Sequence, residues 1–246
     1  AVAQVVVPFM AAAYIIAAVV ILILNYKAIP GAVVEIVQSA FGMRAVAGGA
    51  LGAMMLAMQK GIARGIFSNE AGIGSAPIAA AAVQTTEPVR QGLVSMLGTV
   101  IDTIIICTMT GLSIVITGSW DKGLEGVAVT TRAFQVGLPF PAKVSAFILM
   151  LCLVFFAFTT ILGWDYYSER CLDYLTGNNQ KVVRAYRWIY IACVFIGPYM
   201  TVSAVWTIAD IVNGLMAIPN LIALLALNGV VVAERKNISR SSDLSR

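Results

Sequence analysis

Six stretches of this chain are apolar enough, over enough residues, to cross a lipid bilayer, and that limits the fold before any single residue is weighed. They run over residues 5–24, 41–83, 93–117, 144–162, 188–205 and 209–233. A crossing helix needs about 20 mostly apolar residues. Hydrocarbon offers backbone amides no partners, so every N–H and C=O must be satisfied within the protein, and a chain of this kind folds as a helix bundle. Composition agrees: of 246 residues, 60% are hydrophobic and 11% charged, where a soluble domain carries about a quarter charged residues. The expected fold is all-α, a multi-pass membrane helix bundle forming a single membrane domain over 1–246. A tail over 234–246, ending NISRSSDLSR, has too little apolar surface to fold by itself. The chain opens at Ala1 with no initiator Met, which reads as a cut N-terminus. It also has no basic n-region or cleavage pattern, so 5–24 reads as a crossing and not a signal peptide.

Alternating the loops across the bilayer puts Lys27, Arg44, Lys122, Arg132 and Lys143 on one side and the other eleven of the 16 basic residues on the opposite side. Lys and Arg accumulate in short cytoplasmic loops, so the tail is expected to face the cytoplasm. The net charge of +4 is explained by topology and calls for no nucleic acid. The four cysteines are far apart and three lie in crossings, so neither a disulfide framework nor zinc-ligand spacing is visible. The sequence has no His, which removes His-based triads, metal sites and proton relays.

The second crossing is interrupted. Between apolar stretches lies GIARGIFSNEAGIGSAPIAAAAV, residues 61–83, with Ser68, Asn69, Glu70, Gly72, Gly74, Ser75 and Pro77 close together. A helix broken near 67–75 accounts for this, since non-helical backbone at membrane depth survives where it is buried in protein or lines a cavity. Gly72 and Gly74 permit the turn, and Ser75 before Ala76 and Pro77 reads as a cap opening a second half-helix over 76–83. A carboxylate could sit against Gly74 to Ala76, with Ser68 and Asn69 supplying polar contacts beside it. The alternative is a cytoplasmic loop with an ordinary cap, which Lys60 and Arg64 favour.

Other polar residues lie within apolar runs. Asp102 sits about 15 Å into the third crossing at helical rise; an ion path and pairing with Lys60 or Arg64 are both open readings. Glu70 carries the same ambiguity, and Asp210 reads as interfacial or as an N-cap. In FFAFTTILGWDYY, Thr159 and Thr160 offer oxygen ligands for a hard cation such as sodium, or hydroxyls bonded back to the preceding turn. Trp164 is equally an interfacial anchor or a cavity wall.

The segments VPFMAAAYIIAAVVILILN, RGIFSNEAGIGSAPIAAAA, QGL at Gln91–Leu93, DT followed by CT in the third crossing, FFAFTTILGW, YLTG before YRW, and ADIVNGLMAIPNLIALL together resemble the alanine or glycine:cation symporters, also called sodium:alanine symporters. The likeness covers essentially the whole chain. The chain departs from that pattern at Glu87, before Pro88, and at Ser168, where the family more often has His and Gly.

The resemblance implies a partial 5+5 inverted-repeat fold like that of the leucine transporters, with this chain as the C-terminal half and one of two broken helices present. It implies that Phe67, Ser68, Asn69 and the backbone around Gly72, Gly74 and Ser75 contact an amino acid, and that Trp164 walls the pocket. Thr159 and Thr160 would help bind a transported sodium ion. The function expected is sodium-coupled symport of a small neutral amino acid, alanine or glycine, across the cell membrane by alternating access, with no bond broken. An absent N-terminal half would then be needed to complete the site. Proton coupling through Asp102 or Glu70, and an inactive truncated or accessory membrane subunit, are the alternatives.

Overall fold

The computed structural model describes residues 2–41, 50–85 and 87–244, and all regular structure among them is helical. Ala1, the segment 42–49 with Arg44, which falls in the first part of the expected second crossing, Thr86 and the last two residues of the tail lie outside the described residues. In chain order the helices are α1 (Val2–Leu24), α2 (Ile29–Phe41), α3 (Ala50–Asn69), α4 (Ala76–Ala80), α5 (Pro88–Thr99), α6 (Thr108–Ile116), α7 (Val127–Gly137), α8 (Ala142–Thr176), α9 (Gln180–Ile196) and α10 (Val202–Leu244). A π-helical stretch, Val100–Cys107, joins α5 to α6 without a loop. Four apolar helical runs are long enough to cross a membrane: Gln4–Leu24, Pro88–Ile116, Ala142–Thr176 and Val202–Lys236. The molecule is a membrane helix bundle.

Helix ends follow local chemistry. Asn25 stops α1 by giving both its backbone N–H and its side-chain amide to the Ile21 carbonyl, at 3.1 and 2.8 Å. Gly177 (φ 61°) and Asn178 (φ 66°) take left-handed angles that end α8, and the Asn178 N–H returns to the Asp173 carbonyl at 2.8 Å. Glycine and asparagine adopt that conformation at least cost. Asn179 then caps α9, its side chain accepting from the Lys181 N–H at 3.1 Å.

Two expected boundaries move. Residues 188–205 do not form one helix, because α9 ends at Ile196 and a 3-10 turn over Gly197–Tyr199 precedes α10. Pro198 in that turn has no N–H to continue the ladder. The tail over 234–244 is not an unfolded stub: it extends α10 to Leu244. No Gly or Pro follows Gly229 to stop the helix.

The described chain divides into two compact units, Ala1–Lys60 with Ile105–Val202, and Gly61–Ile104 with Ser203–Arg246. The first unit is built on Tyr14, Ala17, Ala18 and Ile21 of α1 packed against Phe134 and Leu138 at α7 and Leu149 and Cys152 of α8. Small residues let these helices approach closely, as is usual where lipid removes the hydrophobic drive for association. A Cβ on Gly137 would lie 2.7 Å from Cγ2 of Ile21. Tyr14 is the hub of this core. Its ring meets Phe134 at 5.4 Å and, edge-on, Phe156 at 5.8 Å. Its hydroxyl is 2.6 Å from that of Thr110 on α6, so the polar tip is satisfied inside an apolar core. On α6, Ser113 and Thr117 donate to carbonyls one turn back. Where α8 meets α9, Arg187 donates through Nε to Glu169 at 2.7 Å, and a second guanidinium nitrogen binds the same oxygen. That bond holds the Arg187 guanidinium further above its ordinary range.

Candidate functional site

The helix interruption lies in the second unit. α3 stays helical through Phe67, Ser68 and Asn69, and the chain leaves the helix at Glu70. The break therefore spans 70–75 and is shorter than the expected 67–75. Asn69 shows why. Its side chain accepts from the Ala71 N–H at 3.0 Å, a local turn that replaces the next helical bond. Glu70 follows at φ 56°, Gly72 at 86° and Gly74 at 94°. Positive φ is free for glycine but costly for a residue with a Cβ, so Glu70 is a point of stored strain, of the kind that clusters at functional sites.

The half-helix expected over 76–83 is only Ala76–Ala80, and Ser75 makes no side-chain capping bond. Ser75 itself has helical angles, φ −76° and ψ −39°, which turn its hydroxyl away from the amides that an N-cap serves. Five residues are little more than one turn, too short for aligned peptide dipoles to build an anion site. The carboxylate seat at Gly74 to Ala76 is not supported by this geometry. Ser75 is instead completely buried, and its hydroxyl has no hydrogen-bond partner among the described residues. A buried hydroxyl left unpaired costs about 1–3 kcal/mol.

Two pairs flank the break on one side. Ser68 donates to Asp102 at 2.6 Å, and Asn69 donates to Thr103 at 3.0 Å. Asp102 and Thr103 lie in the π-helical stretch. Such stretches gather at functional sites, since the extra residue per turn redirects side chains. On the other side stands α10. Arg64 makes a two-pronged contact with Asp210, at 2.5 and 3.2 Å, and its guanidinium lies 3.8 Å from the centre of the Trp206 ring. Phe67 meets the same ring edge-on at 5.4 Å. Further along α10, Asn220 donates to the Gly72 carbonyl at 2.9 Å.

The structure thus brings Phe67, Ser68, Asn69, Gly72, Gly74 and Ser75 together in the second unit. Trp164, Thr159 and Thr160 belong to α8 in the first unit. There Thr159 donates back to the Phe155 and Phe156 carbonyls at 2.9 and 3.1 Å, and Trp164 packs edge-on against Tyr167 at 5.7 Å. Asp210 is not an N-cap, because α10 begins eight residues earlier at Val202, and its carboxylate pairs with Arg64. Arg64 is accordingly not the partner of Asp102.

Sequence reasoning missed Asn220, Trp206 and Thr103. For Asn220 the signal was present, as a polar side chain directly after Pro219 within the apolar run AIPNLIALL. The π-helical register that offers Asp102 and Thr103 to α3 leaves no trace in hydrophobic periodicity.

Comparison with known proteins matches residues 1–244 to the sodium:alanine symporter family. An uncharacterized transporter of Haemophilus influenzae is 54% identical over 95% of this chain and 51% of its own length. The sodium/alanine symporter AgcS of Methanococcus maripaludis is 47% identical over 94% of this chain and 50% of its own length. A probable sodium/glutamine symporter, GlnT, of Bacillus subtilis is 39% identical over 97% of this chain and 48% of its own length. The chain spans about half the length of the curated relatives it matches. The family match runs through residue 244 and gives no support to the expectation that an N-terminal half must be supplied. These relatives are transporters and symporters by name, and none of the three is named as an enzyme. With the family's match running over residues 1–244, this chain belongs to the sodium:alanine symporter family.

Proposed function

We propose that this chain serves sodium-coupled symport of a small neutral amino acid, alanine or glycine, by alternating access around the break at 70–75. The observation that carries the reading is the break itself. Backbone freed from a membrane helix is tolerated where it meets protein or lines a cavity, and transporters place substrates at such discontinuities. Here Ser68 and Asn69 stand at its N-terminal edge, and Ser75 at its end presents a buried hydroxyl that is unpaired among the described residues.

In this reading Phe67, Ser68, Asn69, Gly72, Gly74, Ser75 and Trp164 contact the amino acid. Thr159 and Thr160 supply oxygen ligands to sodium, which is cargo. Donation by Thr159 to its own helix leaves its oxygen lone pairs available to a cation. The proposed arrangement is one membrane domain with six crossings, the C-terminal half of a 5+5 inverted-repeat fold, and a cytoplasmic C-terminus in the cell membrane.

The test is uptake of labelled alanine, glycine and glutamine into proteoliposomes by the protein expressed from its complete reading frame. Inward sodium, inward protons and neither gradient are compared. Alanine or glycine accumulation driven by sodium alone is expected. Accumulation driven by protons in sodium-free buffer transfers the coupling to protons, with Asp102 and Glu70 as carriers. Absence of uptake under every gradient rejects symport.

A further inference from the structure

The break leaves its backbone with little to fix it. Gly72 and Gly74 both have positive φ, and glycine gives up more conformational freedom on folding than any other residue. The Ala71 N–H bond to Asn69 and the Ile78 N–H bond to Ser75 are local and run in from the two flanking helical ends. Among the described residues, the hydrogen bond reaching 70–75 from another helix is that of Asn220, 148 positions away in sequence, to the Gly72 carbonyl.

The same side chain packs beneath Gly74. A Cβ there would lie 3.3 Å from Cβ of Asn220 and 3.5 Å from both its Cγ and its Oδ1. One amide therefore holds a carbonyl on one side of Ile73 and fills the space under the glycine on the other. Ile73 is 1% exposed and Ser75 is 0% exposed, so the segment so pinned is also the most buried part of the break. Pro219, directly before Asn220 and inside α10, has no N–H of its own and frees a carbonyl of the preceding turn. Asn220 follows that gap in the helical ladder directly.

We propose that Asn220 is a positioning residue, which fixes the unwound backbone in one conformation and thereby sets the size of amino-acid side chain that the break admits. The inference rests on the symport reading for its selectivity and on the geometry alone for its tether.

Two variants separate hydrogen bonding from packing. Asn220→Asp keeps the shape beneath Gly74 and replaces the donor with an acceptor facing the Gly72 carbonyl. Asn220→Ala removes both. Hydrogen–deuterium exchange of the purified protein, which needs no transport, should show amides of 71–76 exchanging at least tenfold faster in both variants, with amides around Tyr14 unchanged. Exchange at 71–76 equal to that of the parent overturns the tether. In proteoliposomes the preference for alanine over 2-aminobutyrate, taken as the ratio of kcat/KM values, should fall at least fivefold in both. A fall in rate with that preference intact assigns Asn220 a purely structural role and overturns the proposal. Where Asn220→Asp does not purify as a folded protein, Gly74→Ala presses on Asn220 from the other side and should give the same loss of preference. A parent protein that transports neither amino acid rejects the symport reading, while the exchange comparison still decides the tether.

Discussion

The Arg64–Asp210 pair joins α3 to α10 within the second unit. Each side chain is about one-third exposed, at 31% and 29%, and each sits on a helix whose sequence is largely apolar. A charge left without its partner in such a place costs more than the intact pair contributes. Arg64→Leu and Asp210→Leu should each lower the melting temperature in detergent, and the double variant should recover part of the loss; additive losses would show that the contact is not coupled. Thr159 and Thr160 offer a second test at this scale. Their joint replacement by Val keeps the volume and removes two oxygens. If these ligate sodium, half-saturation for sodium should rise roughly tenfold or more, from the loss of about 1–3 kcal/mol of interaction with a charged group, while the alanine KM at saturating sodium changes less. Equal half-saturation would leave Thr159 with only its bond to α8's own carbonyls. At this scale the sequence was partly legible. Ser68, Asn69, Gly72 and Gly74 stood out because polar and small residues are costly in an apolar run. The partners of Arg64 and Asp102 did not, because pairing across many residues depends on helix register, which composition does not encode.

At the scale of elements, the break was foreseen, and its extent was not. Helix formation tolerates Phe67, Ser68 and Asn69 up to the point where the Asn69 side chain offers its own acceptor to Ala71, and no propensity scale resolves that competition to the residue. The reach of α10 through 234–244 was missed for the opposite reason: polarity argues against burial, yet an uninterrupted helix needs none to continue for a few turns. Packing of α1 on α7 is set by absence of a side chain. Gly137→Val should place atoms inside the van der Waals shell of Ile21, destabilising by about 1–3 kcal/mol. Ile21→Ala in the same protein should return part of the lost melting temperature. No change on Gly137→Val would mean that α7 moves freely against α1.

On the whole-molecule scale, membrane class followed from composition, while sidedness is an expectation that rests on the distribution of Lys and Arg. α10 holds 43 residues and so runs about 65 Å, against a hydrocarbon core of about 30 Å. Its polar end must stand well clear of the bilayer. A fluorescent protein fused after Arg246 should fluoresce and an alkaline phosphatase fused there should stay inactive, as cytoplasmic exposure requires; the reverse pattern would invert the topology. The division into two compact units had no signature in the sequence, since each unit joins two stretches that are separated along the chain.

The π-helical stretch at Val100–Cys107 bears on how the third crossing presents itself to its surroundings. Eight residues wound with a wider turn shift the phase of everything that follows, so no single helical wheel describes 88–116. Cysteine substituted at each position and probed with a lipid-excluded thiol reagent should give reactivity with the α-helical period before Val100 and again after Cys107, with the second wave out of step with the first. An unbroken wave along the crossing would mean that the wide turn relaxes to α-helix in the bilayer, and that Asp102 and Thr103 then face elsewhere than toward Ser68 and Asn69.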